Sequence, residues 1–354
     1  MPYCRRCGTQ LTENASFCHK CGTPVATYMP VHTVPARPMR RDPLVWITIG
    51  LIAIVLVAVV VSAVVFAPIY AVSFNQTNQD SHSGVDTLNL DFQCDTAQVN
   101  VMTQNLPNKN VLINVSAEGK RSIFGSENSI KVTFTNESSN GVLTVNSKVT
   151  QTGLASSANV VCNIFVNPAL NLNLSVTSTT GQVSFSADKP AQIQSLHLQA
   201  TTGTVQANLD GNVTIAGDIS LVAQTGAVYY RMNQANIQGN HTINLQSTTG
   251  SVDMQILEEK TLQGSIQVNA VTNTGAINVG LQIDGSVGAK IISQTSQYGS
   301  VHADVQNFSG DQSPLQSNNY PSRSNIEINN AVSGFGDVYI TARYASSMYP
   351  SIRN

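Results

Sequence analysis

Residues 178–185 read STTGQVSF, and the pattern returns as ATTGTVQA at 200–207, AQTGAVYY at 223–230, STTGSVDM at 247–254, TNTGAINV at 272–279, SQYGSVHA at 296–303 and SGFGDVYI at 333–340. The central glycines are Gly181, Gly203, Gly226, Gly250, Gly275, Gly299 and Gly336. Neighbours stand about 22 to 25 residues apart until a longer insertion before the last, and periods of that length mark solenoids or arrays. Two positions after the glycine stand Val183, Val205, Val228, Val252, Ile277, Val301 and Val338. Four after it stand Phe185, Ala207, Tyr230, Met254, Val279, Ala303 and Ile340, with mostly polar residues between. That alternation predicts a strand with one buried face.

A second alternating strand precedes the turn, in Leu196–Leu198, Ile219–Leu221 and Ile243–Leu245. Each unit therefore reads as strand, glycine turn, strand. One unit cannot bury its apolar row, whereas stacked units share a core. The expected fold is mainly β, with a repeat β-solenoid over 85–345; a β-sandwich is the alternative the same strands allow. Residues 85–165 are less regular. LNLDFQCDTAQVNVM reads as a degenerate first unit with Ala97 in the glycine position, and VLINVS, IKVTFTN, VLTVNSKV and NVVCNIFV add strands. Terminal units of such arrays are atypical because they cap the core.

Across about residues 86–345 these T-T-G-x-V units resemble a prokaryotic family of β-solenoid domains known as putative adhesins. The resemblance implies surface attachment. It supplies no ligand and no catalytic residue.

Residues 44–67, LVWITIGLIAIVLVAVVVSAVVFA, carry no charge. As a helix they would span roughly 36 Å, enough to cross a bilayer. Arg37, Arg40 and Arg41 precede the run, and PIYAVSFNQTNQDSHSG after it has no basic residue. The excess of positive charge before the span predicts a cytoplasmic N-terminus and an extracytoplasmic C-terminal domain in a single-pass cell-membrane protein. A cleaved signal peptide is the weaker alternative, because the run is long and begins far into the chain. The flanks read as a Pro/Arg juxtamembrane linker at 26–43, a polar linker at 68–84 and a tail at 346–354.

The first 25 residues contain CxxCG twice, as Cys4–Cys7–Gly8 and Cys18–Cys21–Gly22. Two thiolates on each tight knuckle can reach one Zn²⁺ at about 2.3 Å, and two knuckles complete a tetrahedral site. The glycine after each second cysteine permits positive φ. This stretch resembles the short zinc-ribbon modules at the N-termini of many prokaryotic membrane proteins, which implies that Cys4, Cys7, Cys18 and Cys21 hold a structural zinc. Four thiolates leave no open position for a catalytic water. So small a module must draw its folding energy from the metal.

Only 11% of residues are charged and the formal net charge is -2, so nothing points to nucleic acid. Asp188, Asp210, Asp253, Asp304 and Asp337 fall at different offsets from their glycines, and no GxSxG or HExxH occurs. The expectation is a binding protein, not an enzyme. The outward row three after the glycine holds Ser184, Gln206, Tyr229, Asp253, Asn278, His302 and Tyr339. Stacked, Tyr229, Asp253, Asn278, His302 and Tyr339 would form a binding strip for an extracellular glycan or protein; a merely solvated face is the alternative. Expected partners are the membrane, that outer ligand and a cytoplasmic protein contacting the ribbon. Cys94 and Cys162, the only cysteines after the apolar run, are read as a disulfide, against the alternative of two small buried side chains.

Overall fold

The apolar rows of the repeat are buried: Val183, Val205, Val228, Val252, Ile277 and Val338 in one, Phe185, Ala207, Tyr230, Met254, Val279 and Ile340 in the other. The computed structural model describes residues 3–13, 15–25, 50–59, 62, 68–122, 130–152, 159–210, 213–259 and 262–345. The chain divides into two units, Met1–Ala63 and Val64–Asn354. The linker at 26–43 and the tail at 346–354 lie outside the described residues.

The second unit is built almost wholly of β-strands in two large sheets, of eleven and thirteen strands. A central repeat gives the strand before its glycine to the thirteen-stranded sheet and the strand after it to the eleven-stranded one. Like strands of adjacent repeats pair in parallel: Leu196 with Ile219 and Ile219 with Ile243, then Val183 with Val205 and Val205 with Val228. Since successive side chains point to opposite faces, this register stacks like on like, and the inward rows of both sheets join one core from Leu88 to Ala342.

The corners explain the repeated Thr-Gly. Gly203, Gly226, Gly250 and Gly275 have φ of 139°, 142°, 145° and 141°, a region other residues rarely adopt. A Cβ there would strike the carbonyl oxygen of the preceding corner glycine. Each corner amide instead donates to the next unit, Gly203 N to Thr225 O and Gly226 N to Thr249 O, both at 2.8 Å. Ala97 takes the glycine position in the first unit, its carbonyl lying against Gly181.

The stack does not follow sequence order at its ends. Val338–Ala345 pairs with Ile277–Asp284 on one side and Val301–Gln306 on the other, so the Gly336 unit lies between the Gly275 and Gly299 units. Val301, Ala303 and Val305 are therefore edge residues and only half-buried. At the other end, the pair Val142–Gln151 and Asn159–Val166 lies outside Thr87–Thr96 and Gln98–Thr103, which pair directly with Asn171–Thr180 and Val183–Ala187. Antiparallel strands finish the stack: Pro68–Asp80 on Val111–Ser122, Ile130–Ser139 on Val142–Gln151, and Leu315–Ser317 on Val287–Thr295.

One boundary differs from the sequence reading. Most of the polar linker at 68–84 is the strand Pro68–Asp80, an edge strand that pairs through its backbone and needs few apolar side chains; Phe74 alone among its described side chains packs on the core. Of the apolar run 44–67, residues 50–59 are helical, and the remainder apart from Ser62 lies outside the described residues. Among the described residues no helix is long and apolar enough to cross a membrane.

Candidate metal centre and binding face

The first 25 residues hold two copies of one knuckle. In the first, Cys4 N donates to Thr9 O at 2.8 Å and Gly8 N to Cys4 O at 2.9 Å; in the second, Cys18 N donates to Thr23 O and Gly22 N to Cys18 O at 2.9 and 2.8 Å. Gly8 and Gly22 both have φ of 69°. The turns bring all four sulfurs within 4.8 Å of one another, with Cys4 and Cys21 at 3.5 Å and Cys7 and Cys18 at 3.5 Å. Sulfurs on a tetrahedral ion at about 2.3 Å stand roughly 3.8 Å apart, so the set fits one metal ion. Leu11, with Val25 against it, supplies the little apolar packing the module has, and His19 is exposed beside the site.

Two residues beyond the cysteines belong to this centre. Thr9 Oγ1 lies 3.3 Å from Cys7 Sγ, and Thr23 Oγ1 lies 3.2 Å from Cys21 Sγ. Hydrogen bonding with the Thr9 side chain and then its amide holds the Cys7 thiol below its ordinary value, and hydrogen bonding with Thr23 pulls Cys21 down to about 6. Both favour the thiolate that ligation requires. The signal was in the sequence, since the repeated motif is CxxCGT.

On the outer face of the eleven-stranded sheet the expected row forms, in a changed order. Gln206, Tyr229, Asp253 and Asn278 are neighbours on adjacent strands; Tyr339 comes next, and His302 lies beyond it. Asn278 Nδ2 donates to Asp253 Oδ1, while Ser251 Oγ donates to Asp253 Oδ2 at 2.6 Å. His302 and Tyr339 stack with ring centroids 5.0 Å apart. Ser184 instead joins the amide ladder of the first units, donating to Asn100 Oδ1 at 3.0 Å. At the corner, where other units carry Thr, Tyr298 and Phe335 stack at 5.0 Å. Tyr229, Tyr298, Phe335 and Tyr339 are the exposed aromatic side chains among the described residues of this unit.

Beside the row lies a shallow groove of about 540 Å³ that the sequence reading did not anticipate. Its floor is Gly280, in register with Gln255 and Thr341, and its rim includes Arg231, Asp253, Tyr339 and Arg343. The signal available was a glycine five positions after Gly275, where other units carry a side chain.

Cys94 and Cys162, read above as a disulfide, are free in the structure, two buried thiols on strands of opposite sheets. Burial pushes Cys94 up to about 11 and, with the Cys94 charge beside it, Cys162 up to about 12.

Residues 3–25 match the zinc-ribbon domain family. No curated protein matches the chain. Among solved structures, a putative cell adhesion protein from Clostridium sporogenes ATCC 15579 is similar over 77% of this chain and 100% of its own, at 14% identity and a TM-score of 0.40. A putative adhesin from Bacteroides fragilis NCTC 9343 is similar over 78% of this chain and 98% of its own, at 12% identity and a TM-score of 0.29. Another from Parabacteroides merdae ATCC 43184 covers 75% and 95%, at 12% and 0.26.

Proposed function

We propose that this chain is a membrane-anchored surface protein whose β domain, a capped β-solenoid, stands outside the membrane and binds envelope or surface components. The carrying observation is where the exposed aromatics lie. Tyr229, Tyr298, Phe335 and Tyr339 belong to units from Val228 onward, whereas Pro68–Asp80, the strand that follows the apolar run, is the opposite edge of the eleven-stranded sheet. Ten strand spacings separate that edge from Val301–Gln306, about 48 Å. A binding face at the end of the sheet away from the strand by which the chain enters it is the arrangement an adhesive protein needs.

Anchoring is supported by the apolar helix itself. Leu51, Ile52, Ile54, Val55, Leu56, Val57 and Val59 are all exposed, and a helix apolar all round calls for lipid or protein about it. The arginines before it support a cytoplasmic ribbon, and its four thiolates suit zinc. The reading assigns the outer domain a binding role with no catalytic step.

Protease added to intact cells should remove the β domain and leave the ribbon, and displaying cells should be retained on immobilised cell-wall polysaccharide. Loss of the ribbon with the β domain spared would reverse the orientation; retention no better than that of cells lacking the chain would sink the adhesive role.

A second reading, an envelope-to-cytoplasm sensor, draws on the ribbon's surface. Tyr3 and Phe17, equivalent residues before each first cysteine, are 62% and 64% exposed and suit a cytoplasmic protein partner. Outer-surface binding that survives deletion of residues 1–25 would favour the adhesive reading.

A further inference from the structure

Most glycines of the β domain are explained by the fold, but Gly280 is not. It sits inside the strand Ile277–Asp284, its φ is not positive, and a Cβ on it would meet only ordinary contacts, 3.6 Å from Gln255 Cγ and from Met254 O. Glycine within a strand costs stability and marks places where something approaches the backbone closely. Here the absent side chain opens the groove, between Gln255 on one neighbouring strand and Thr341 on the other.

We infer that this groove is a binding site for an oligosaccharide bearing carboxylate or sulfate groups, an inference that rests on the surface-binding reading above. Three features choose the ligand class. The groove runs across strands, and Arg231 and Arg343 stand on strands three spacings apart, about 14 Å, so each strand offers one set of side chains to each ring of a chain lying over them. Tyr339 offers an aromatic face, and Gln255, Gln282 and Thr341 offer amides and a hydroxyl, groups that match a ligand rich in hydroxyls. The lining holds two arginines and one carboxylate, Asp253, whose oxygens already accept from Asn278 and Ser251; Arg343 also meets Asp304 at 4.0 Å outside the lining, so Arg231 is the cation offered to an anion. A peptide fits less well. The floor's backbone is paired with strands on both sides, so no main-chain groups remain for strand addition.

The test is calorimetric titration of the full chain in detergent with hyaluronan, heparin-derived and galacturonate hexasaccharides, with cellohexaose as the neutral probe and hexaglutamate as the peptide probe. At least one anionic hexasaccharide should bind tenfold or more tighter than cellohexaose. Gly280→Leu, which fills the groove, and Arg231→Gln should each weaken it tenfold or more, with unchanged circular dichroism. Should Gly280→Leu fail to fold, Arg231→Gln and Tyr339→Ala carry the same comparison. Absence of binding by every anionic sugar, equal binding by the variants, or equal binding of hexaglutamate overturns the inference. Such an outcome with wild-type cells still retained on polysaccharide sinks the groove alone; loss of retention as well sinks the surface-binding reading with it.

Discussion

The carbonyl oxygen of Gly275 lies in the space where Gly336 would carry a Cβ, although 61 positions of sequence separate them. An equivalent close approach recurs at each repeat glycine, and all of them except Gly299 also have positive φ. Gly226→Ala should therefore destabilise the β domain by about 3 kcal/mol or more. Gly280→Ala, with negative φ and open space, should stay within about 1 kcal/mol of wild type. Thermal unfolding of the two variants side by side checks both; equal losses would remove the distinction between corner and groove glycines.

Tyr230 is buried in the core, its hydroxyl has no hydrogen-bond partner among the described residues, and burial followed by the nearby Glu258 charge raises its pKa. A buried unpartnered hydroxyl carries a desolvation cost. Tyr230→Phe should leave stability unchanged or raise it by about 1 kcal/mol in denaturant titration. A loss beyond 1 kcal/mol would mean the hydroxyl has a role the geometry does not reveal.

Asp80 ties the first edge strand into the cap. Its carboxylate accepts from Asn110 Nδ2 at 2.8 Å, from Asn136 Nδ2 at 2.6 Å and from the His82 amide at 3.1 Å, and it meets His82 Nδ1 at 2.5 Å. Burial works to raise its pKa, yet the hydrogen bonds from Asn110, His82 and Asn136 outweigh that and leave it below the ordinary value. A depressed folded-state pKa stabilises fully above the unfolded value, about 3.9, and that contribution fades as pH falls through the folded value. Asp80→Asn should cost about 1 to 3 kcal/mol at pH 7, with the gap to wild type closing as pH falls through the lowered folded-state value. Unfolding curves across pH measure it, and a gap that persists in acid would assign the effect to packing.

Thr23 supports a ligand without being one. Thr23→Val should weaken zinc affinity about 10- to 100-fold in chelator competition, whereas Cys21→Ser should abolish stoichiometric binding. One zinc per chain is expected in freshly purified protein, and less than half an equivalent would refute the metal centre.

Cys94 and Cys162, as high-pKa buried thiols, should resist alkylation in the folded protein and react once it is denatured. Mass spectrometry after alkylation, with and without reductant, reads both reactivity and any bridge. Rapid native labelling at either thiol would contradict their burial.

Much of this architecture was legible because period-two alternation and glycine spacing are local signals. Val183 to Val338 and Leu196 to Leu245 could be placed inward, and Ala97 could be aligned with the corner glycines, from the residues alone. The order of the last two units could not. Parallel pairing is made by backbone groups, which are the same in every unit, so nothing in SQYGSVHA or SGFGDVYI says which lies next to Gly275. The strand Pro68–Asp80 was hidden for a similar reason, since an edge pairs through its backbone and its side chains read as a linker. Among the outward residues, Tyr229 and Asp253 were found through their shared offset, whereas Arg231 and Arg343 stand five and seven positions after their glycines and fell in no common row.

The exchange of the final two units governs how the domain can be made. Val301–Gln306 is synthesised well before Val338–Ala345, the strand that becomes its neighbour. Until residue 345 emerges, the earlier segment must either wait without its partner or occupy a berth beside Ile277–Asp284 that it later yields. Growth by adding one unit after another to an open end therefore cannot build this stack, and Val338–Ala345 must be wedged between two strands made before it. A duplicated repeat spliced in before Gly275 should extend the stack, whereas one appended after residue 345 would find no docking place in line with the chain.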